Sequence, residues 1–127
     1  MKEALTHPLA GIKIAPHYGW HYIKPTYLFD HFDSPYFPES LDKLIEITGA
    51  EPVSYRDRLQ CCCSGILAFL EDTSTNMVKQ KLDHVKAANT DVMIVIRSFG
   101  DIIYYEYHPA IGAKADVKYD IPVLYYT

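Results

Sequence analysis

Cysteine is scarce in this chain and unusually placed: there are three, all side by side at Cys61-Cys62-Cys63. Several other signals are missing altogether. No Lys/Arg run builds a phosphate-tracking stripe, and a formal charge of -4 points away from nucleic acid. No apolar run approaches the length of a membrane span, and the N-terminus lacks the basic and apolar regions of a secretory signal. Neither a Gly-rich phosphate loop, a Ser-His-Asp ordering nor a paired acidic site stands out. The expectation is a soluble, cytoplasmic protein with no nucleic-acid partner and no membrane span, whose thiols stay reduced. An odd number of cysteines fits that setting.

What is present describes a globular chain. At 127 residues, 49% hydrophobic and 22% charged, it has the length and composition for one domain with a real core. Residues 1–10 carry no periodicity and read as a lead-in; residues 11–127 form a single domain. Gly11-Ile12-Lys13-Ile14-Ala15 reads as a first strand stopped by Pro16, followed by a ring-rich loop through Pro25. Residues 26–38 read as a long loop of the kind that is usually functional or lid-like. Ser40 is placed to cap a helix from Leu41, with Leu41, Leu44, Ile45 and Thr48 on one face and Gly49 as its stop. Pro52-Val53-Ser54-Tyr55 reads as a second strand, and Gly65–Leu70 as a short helix. Asn76 is placed to cap a further helix through Ala88, burying Val78, Leu82 and Val85. Asp91–Ile96 is the strongest strand, an apolar run suited to cover on both faces. Residues 99–108 suit a helix but are strand-compatible at Ile102-Ile103-Tyr104-Tyr105. Ile121–Tyr126 reads as a last strand.

This alternation predicts a three-layer α/β domain with a mainly parallel, roughly four-stranded sheet, flavodoxin-like in kind. Open sheets of this type place ligands beyond the carboxyl ends of their strands. Trp20, Cys61 and Arg97 each follow a predicted strand, so their loops are expected to converge. Three adjacent thiols cannot form a zinc ribbon, which needs two separated pairs. With His21 or His17, however, two of them would make a four-donor zinc set. The competing expectation for both histidines, and for His31, is a hydrogen bond to nearby backbone. Asp30-His31-Phe32-Asp33 is the only acidic/His cluster. Eleven tyrosines are unusual; the pairs Tyr104-Tyr105 and Tyr125-Tyr126 read as half-buried structural residues.

The stretch Gly19-Trp20-His21-Tyr22-Ile23-Lys24-Pro25 resembles a Gly-Cys-His-Tyr-Leu-Lys-Pro stretch of the second CCG (cysteine-rich) domain in the B subunit of heterodisulfide reductase. Pro38-Glu39-Ser40-Leu41-Asp42-Lys43-Leu44, Thr48-Gly49-Ala50-Glu51, Asn89–Val95 and Ile121–Thr127 are similar to other segments of that family. Cys61-Cys62 falls at its double cysteine, with Cys63 where a glycine would stand. The resemblance runs from about Gly11 to the end, which makes 11–127 a CCG-type domain. It implies electron transfer or disulfide reduction by iron–sulfur chemistry, in the best-known case a noncubane 4Fe–4S-type cluster pair. It also implies protein partners in a redox complex.

The family places five cysteines here: one, an adjacent pair, and a Cys-x-x-Cys. In this chain Trp20 stands at the first position, and Arg97 and Gly100 stand at the Cys-x-x-Cys. Iron–sulfur clusters need thiolates, which indole and glycine cannot supply, and a guanidinium repels cationic iron. The first expectation is therefore a domain without a standard cluster, acting as a structural or partner-binding subunit. In it Trp20 would plug the vacated space and Arg97 would hold an anion or stay solvated. Two alternatives remain at this point. One is an atypical iron–sulfur or zinc centre on Cys61, Cys62 and Cys63; the other is a metal-free thiol protein with a thiolate activated near Arg97. Catalysis by this chain alone is not expected.

Overall fold

Val92-Met93-Ile94-Val95 is apolar without interruption, and all four side chains are buried. In the computed structural model, which describes residues 6–126, this strand, β3 (Val92–Val95), lies inside a four-stranded parallel sheet. Its neighbours are β1 (Lys13–His17), β2 (Glu51–Pro52) and β4 (Val123–Tyr125), in the order β2-β1-β3-β4. Ile14 lies opposite Val92 and His17 opposite Val95.

The period of two along each strand sorts the core into two halves. Ala15, Met93, Val95 and Val123 pack with Val78, Leu82 and Val85 of α3 (Glu71–Ala87) and Ile111 of α5 (His108–Ala115). Ile14, Val92 and Ile94 face the other way, onto Leu41 and Ile45 of α2 (Ser40–Ile47). The expected three-layer parallel architecture is thus present. From β1 the chain moves outward to β2, then crosses back to β3, so the sheet order reverses between β1 and β3. Beyond their carboxyl ends, β1 leads through Gly19 into one turn, α1 (Trp20–Ile23), and β3 leads into α4 (Ser98–Asp101).

Several boundaries differ from the sequence expectation, each for a physical reason. Pro16 does not stop β1 but sits inside it, opposite Ile94. The Ile14 carbonyl accepts from Val53 N–H on the β2 side, so the imide nitrogen of Pro16, two residues on, faces that side after β2 has ended. The Pro16 carbonyl there accepts from the Tyr55 hydroxyl at 3.1 Å. No ladder hydrogen bond is lost, which is where proline is tolerated in a sheet. For the same reason β2 lies at Glu51–Pro52 rather than Pro52–Tyr55: Tyr55 has already turned inward.

Helix α3 starts at Glu71, not at Asn76. Glu71 and Asp72 in its first turn favour the positive helix end. The Thr73-Ser74-Thr75 run, poor helix material alone, is held because Ser74 is buried and donates to the Cys63 carbonyl at 2.9 Å. Gly65–Leu70 supplies only a 3-10 turn, Ser64–Ile66. Residues 98–106 are helical rather than extended, with a π-helical stretch at Ile102–Glu106 that buries Ile103 and Tyr104.

Ser40 does not cap α2. Its amide and that of Glu39 donate to the Asp33 carboxylate, at 2.9 and 3.1 Å. The next two amides, Leu41 and Asp42, both donate to the Tyr18 hydroxyl at 3.1 Å, which in turn donates to Asp42. Four open donors of a helix start are thus met from outside the helix. Asp33 therefore has a structural task, and burial with these bonds accounts for its lowered pKa, the amide bonds outweighing the burial. Removing the Tyr18 hydroxyl would leave a buried amide unpaired, so Tyr18→Phe should destabilise the fold by about 1–3 kcal/mol. Urea denaturation measures this, with the exposed Tyr27→Phe as an unaffected control.

Candidate functional site

The three loops expected to converge do so at the switch point between β1 and β3. Gly19 has φ +69, and a Cβ there would sit 3.5 Å from Arg97 Cγ, so only glycine suits both backbone and neighbour. A Cβ on Gly100 would lie 3.4 Å from His17 Cδ2 and from Val95 Cβ. The β1 and β3 loops are therefore in contact.

The cysteine loop is tied to them by Lys81, a residue that no motif in the sequence marks. Lys81 is 0% exposed. Its Nζ donates to the Gln60 carbonyl at 2.6 Å and lies 3.1 Å from His17 Nδ1. Tyr104 closes this polar chamber: its ring packs edge-on against His17 with centroids 5.0 Å apart. Its hydroxyl, like the Gln60 side-chain oxygen, has no partner among the described residues. A signal for Lys81 does exist, since Val78, Lys81, Leu82 and Val85 have the spacing of one apolar helix stripe. A lysine on such a stripe must be buried with partners or reach out to water.

Burial governs the titration of this chamber. It pushes Lys81 down to about 7, against the pull of the neighbouring thiols and Asp57. Burial, aided by Lys81, holds His17 well below the ordinary imidazole value. His17 is therefore a neutral ring facing an amine. Burial also raises Cys62, and raises Cys63 to about 11. The expected activation of a thiol near Arg97 does not hold for these two: they are harder to ionise than a free thiol.

The three thiols are in different surroundings. Cys61 is exposed, Cys62 packs against the core, and Cys63 is buried. Cys63 has φ +60, the left-handed region, which accounts for a glycine at this place in the resembling family. Its amide donates to Cys61 Sγ at 3.4 Å, and its own Sγ lies 3.4 Å from Met77 Sδ on α3. Among the described residues no three His, Cys, Asp or Glu side chains are grouped to hold a metal. His17 is occupied by Lys81, and His21 is exposed, so the zinc set with these histidines is not assembled.

Trp20 is not a plug. It is 46% exposed, with the Lys24 ammonium 4.3 Å from its ring centroid. Lys24 also lies 5.3 Å from the Tyr36 ring, which links these aromatics into one patch. Arg97 is exposed beside Gly19. Of the tyrosine pairs, Tyr104 is fully buried and Tyr105 exposed.

The family profile described as "Cysteine-rich domain" (CCG) matches residues 14–99, which hold both contacting loops and the cysteine run. The chain belongs to the CCG domain family. Among curated relatives, this CCG domain is 35% identical over 131 residues to the B subunit of ferredoxin:CoB-CoM heterodisulfide reductase of Methanosarcina mazei. That match covers 100% of this chain and 42% of the relative. The same-named protein of Methanosarcina acetivorans is 34% identical over 124 residues, covering 95% of this chain and 39% of the relative. A protein of Archaeoglobus profundus, described as like the B subunit of heterodisulfide reductase, is 27% identical over 128 residues, covering 98% and 43%. The chain thus spans about two fifths of the length of these relatives. No described helix is long and apolar enough to cross a membrane.

The buried amine makes a prediction about pH. Unfolded, Lys81 would titrate near 10.5; folded, it titrates near 7. Between these values the unfolded chain binds a proton that the folded chain lacks, so stability rises with pH, by at most about 1 kcal/mol per unit. The window is pH 7–9, because above pH 9 the raised thiols act in the opposite sense. Denaturation measured across pH 7–9 should show this slope in the wild type and lose it in Lys81→Met.

Proposed function

We propose that this CCG domain holds no standard family cluster and acts as a structural, partner-binding subunit of a heterodisulfide-reductase-like redox complex. The observation that carries the proposal is the composition of the convergent site. At the positions matching the family's thiols stand an exposed indole, an exposed guanidinium and a glycine. Beneath the remaining cysteine pair lies the amine of Lys81, bonded to Gln60 and His17. Two of the three thiols are held protonated by burial. Cluster iron needs several converging thiolates, and these residues do not fit it. No catalytic step is assigned to them.

Partner binding is supported by what surrounds the site. The segment from Trp20 to Phe37 leaves Trp20, Tyr27, Leu28, Phe32, Tyr36 and Phe37 exposed, the last two 71% and 82%. Large aromatic groups gathered on one surface, interleaved with a lysine, have the composition of interface anchors. The relatives are named as subunits, so the occupant is a protein of the same complex.

Tagged chain recovered from its native cells should bring redox-complex subunits with it. Trp20→Ala combined with Tyr36→Ala should abolish that recovery while leaving thermal stability unchanged. Cys61→Ser with Cys62→Ser should keep the partner. Loss of the partner in the folded cysteine variant would contradict the proposal, because docking would then depend on a thiol-bound group.

A further inference from the structure

Cys63 and Met77 have no role in the family's ligand pattern, yet they place two sulfur atoms 3.4 Å apart. A third sulfur is close by. Cys61 Sγ folds back onto the Cys63 amide at 3.4 Å, and Cys63 Sγ lies 3.5 Å from the Cys61 carbonyl. Cys62 turns away into the core, so alternate residues of the run share one side. We propose that Cys61 Sγ, Cys63 Sγ and Met77 Sδ form a three-sulfur site for a soft monovalent cation, copper(I).

The donor chemistry selects the ion. Two thiolates and a thioether are soft ligands that favour copper(I). Zinc asks for four donors in a tetrahedron, and no imidazole or carboxylate among the described residues joins these sulfurs. A metal at roughly 2.3 Å from each of three sulfurs, the metal–thiolate distance of zinc sites, would hold them about 4 Å apart. The Cys63–Met77 pair thus needs to open by only about half an ångström. Binding would release the two thiol protons and leave a complex of charge -1, with no change of oxidation state. The buried Lys81 amine, bonded to the carbonyl of Gln60 just before the run, supplies a positive partner close beneath it. The backbone is set for this arrangement as well. The left-handed turn at Cys63 aims its amide at Cys61 Sγ, and Ser74 pins the Cys63 carbonyl to the helix that carries Met77.

The inference goes beyond the cluster-free proposal and uses a different ligand set. The full chain, reduced and kept anaerobic, is titrated against the coloured copper(I)–bicinchoninate complex. One equivalent of copper(I) per chain should be withdrawn. Met77→Leu, which preserves volume, should weaken the affinity at least about tenfold, since even outer-shell partners of metal ligands are worth about 10- to 100-fold. Cys61→Ser, at an exposed position, should abolish uptake, and Cys62→Ser should leave it unchanged. X-ray absorption at the copper edge should show three sulfur neighbours. The proposal is overturned if the wild type withdraws no copper, if Met77→Leu binds as the wild type does, or if Cys62→Ser loses uptake. The visible spectrum of the protein before copper is added separates the two proposals. Iron–sulfur absorption there defeats the cluster-free reading, whereas a colourless protein that ignores copper defeats this one alone.

Discussion

A lysine amine with no exposure to water must find its hydrogen-bond partners inside the protein, and where it finds them fixes the segments that supply them. Lys81 sits on α3, takes the carbonyl of Gln60 at the start of the cysteine loop, and meets His17 at the end of β1. Three segments distant in sequence are thereby held to one point. Removing one partner of a buried charged group costs about 3–5 kcal/mol, so this junction cannot loosen cheaply. His17 adapts by staying neutral, and the thiols above adapt by staying protonated.

The same junction explains the character of the site. The switch point of a parallel sheet is where ligands are usually met, and here the loops do converge. What they bring together is an amine, a neutral imidazole and two buried thiols, with an indole and a guanidinium outside. Such a set favours retaining the scaffold while changing what the scaffold holds. The exposed aromatics around Trp20 then become the outward-facing chemistry, and the sulfur atoms of Cys61, Cys63 and Met77 the inward-facing one.

Much of the scaffold is legible in the sequence. Val92–Val95 carries its burial in an unbroken apolar run, and α2 in its helical spacing and its stop at Gly49, which has φ +87. What is not legible depends on tertiary partners. Asp33 and Tyr18 cap α2 from outside, so the local Ser40 signal misleads. Ser74 makes a helix of a Thr-Ser-Thr run only because the Cys63 carbonyl lies above it. Pro16 is at home in a strand because the neighbouring strand has ended. At the site, Trp20, Arg97 and the cysteine run announce themselves by their places after strands, whereas Lys81 and Met77 do not. Both lie on a helix whose pattern speaks only of its apolar face, and their significance comes from the loop above them.

The central claim is that these residues do not fit a family cluster. Its most direct test is anaerobic reconstitution of the purified chain with ferrous iron and sulfide, followed by gel filtration and visible spectroscopy. The expected outcome is a colourless, folded protein that retains neither iron nor sulfide in stoichiometric amount. A stable brown protein with near-stoichiometric iron and sulfide would contradict the claim, and would place Cys61, Cys62 and Cys63 among the ligands of a cluster despite the amine beneath them.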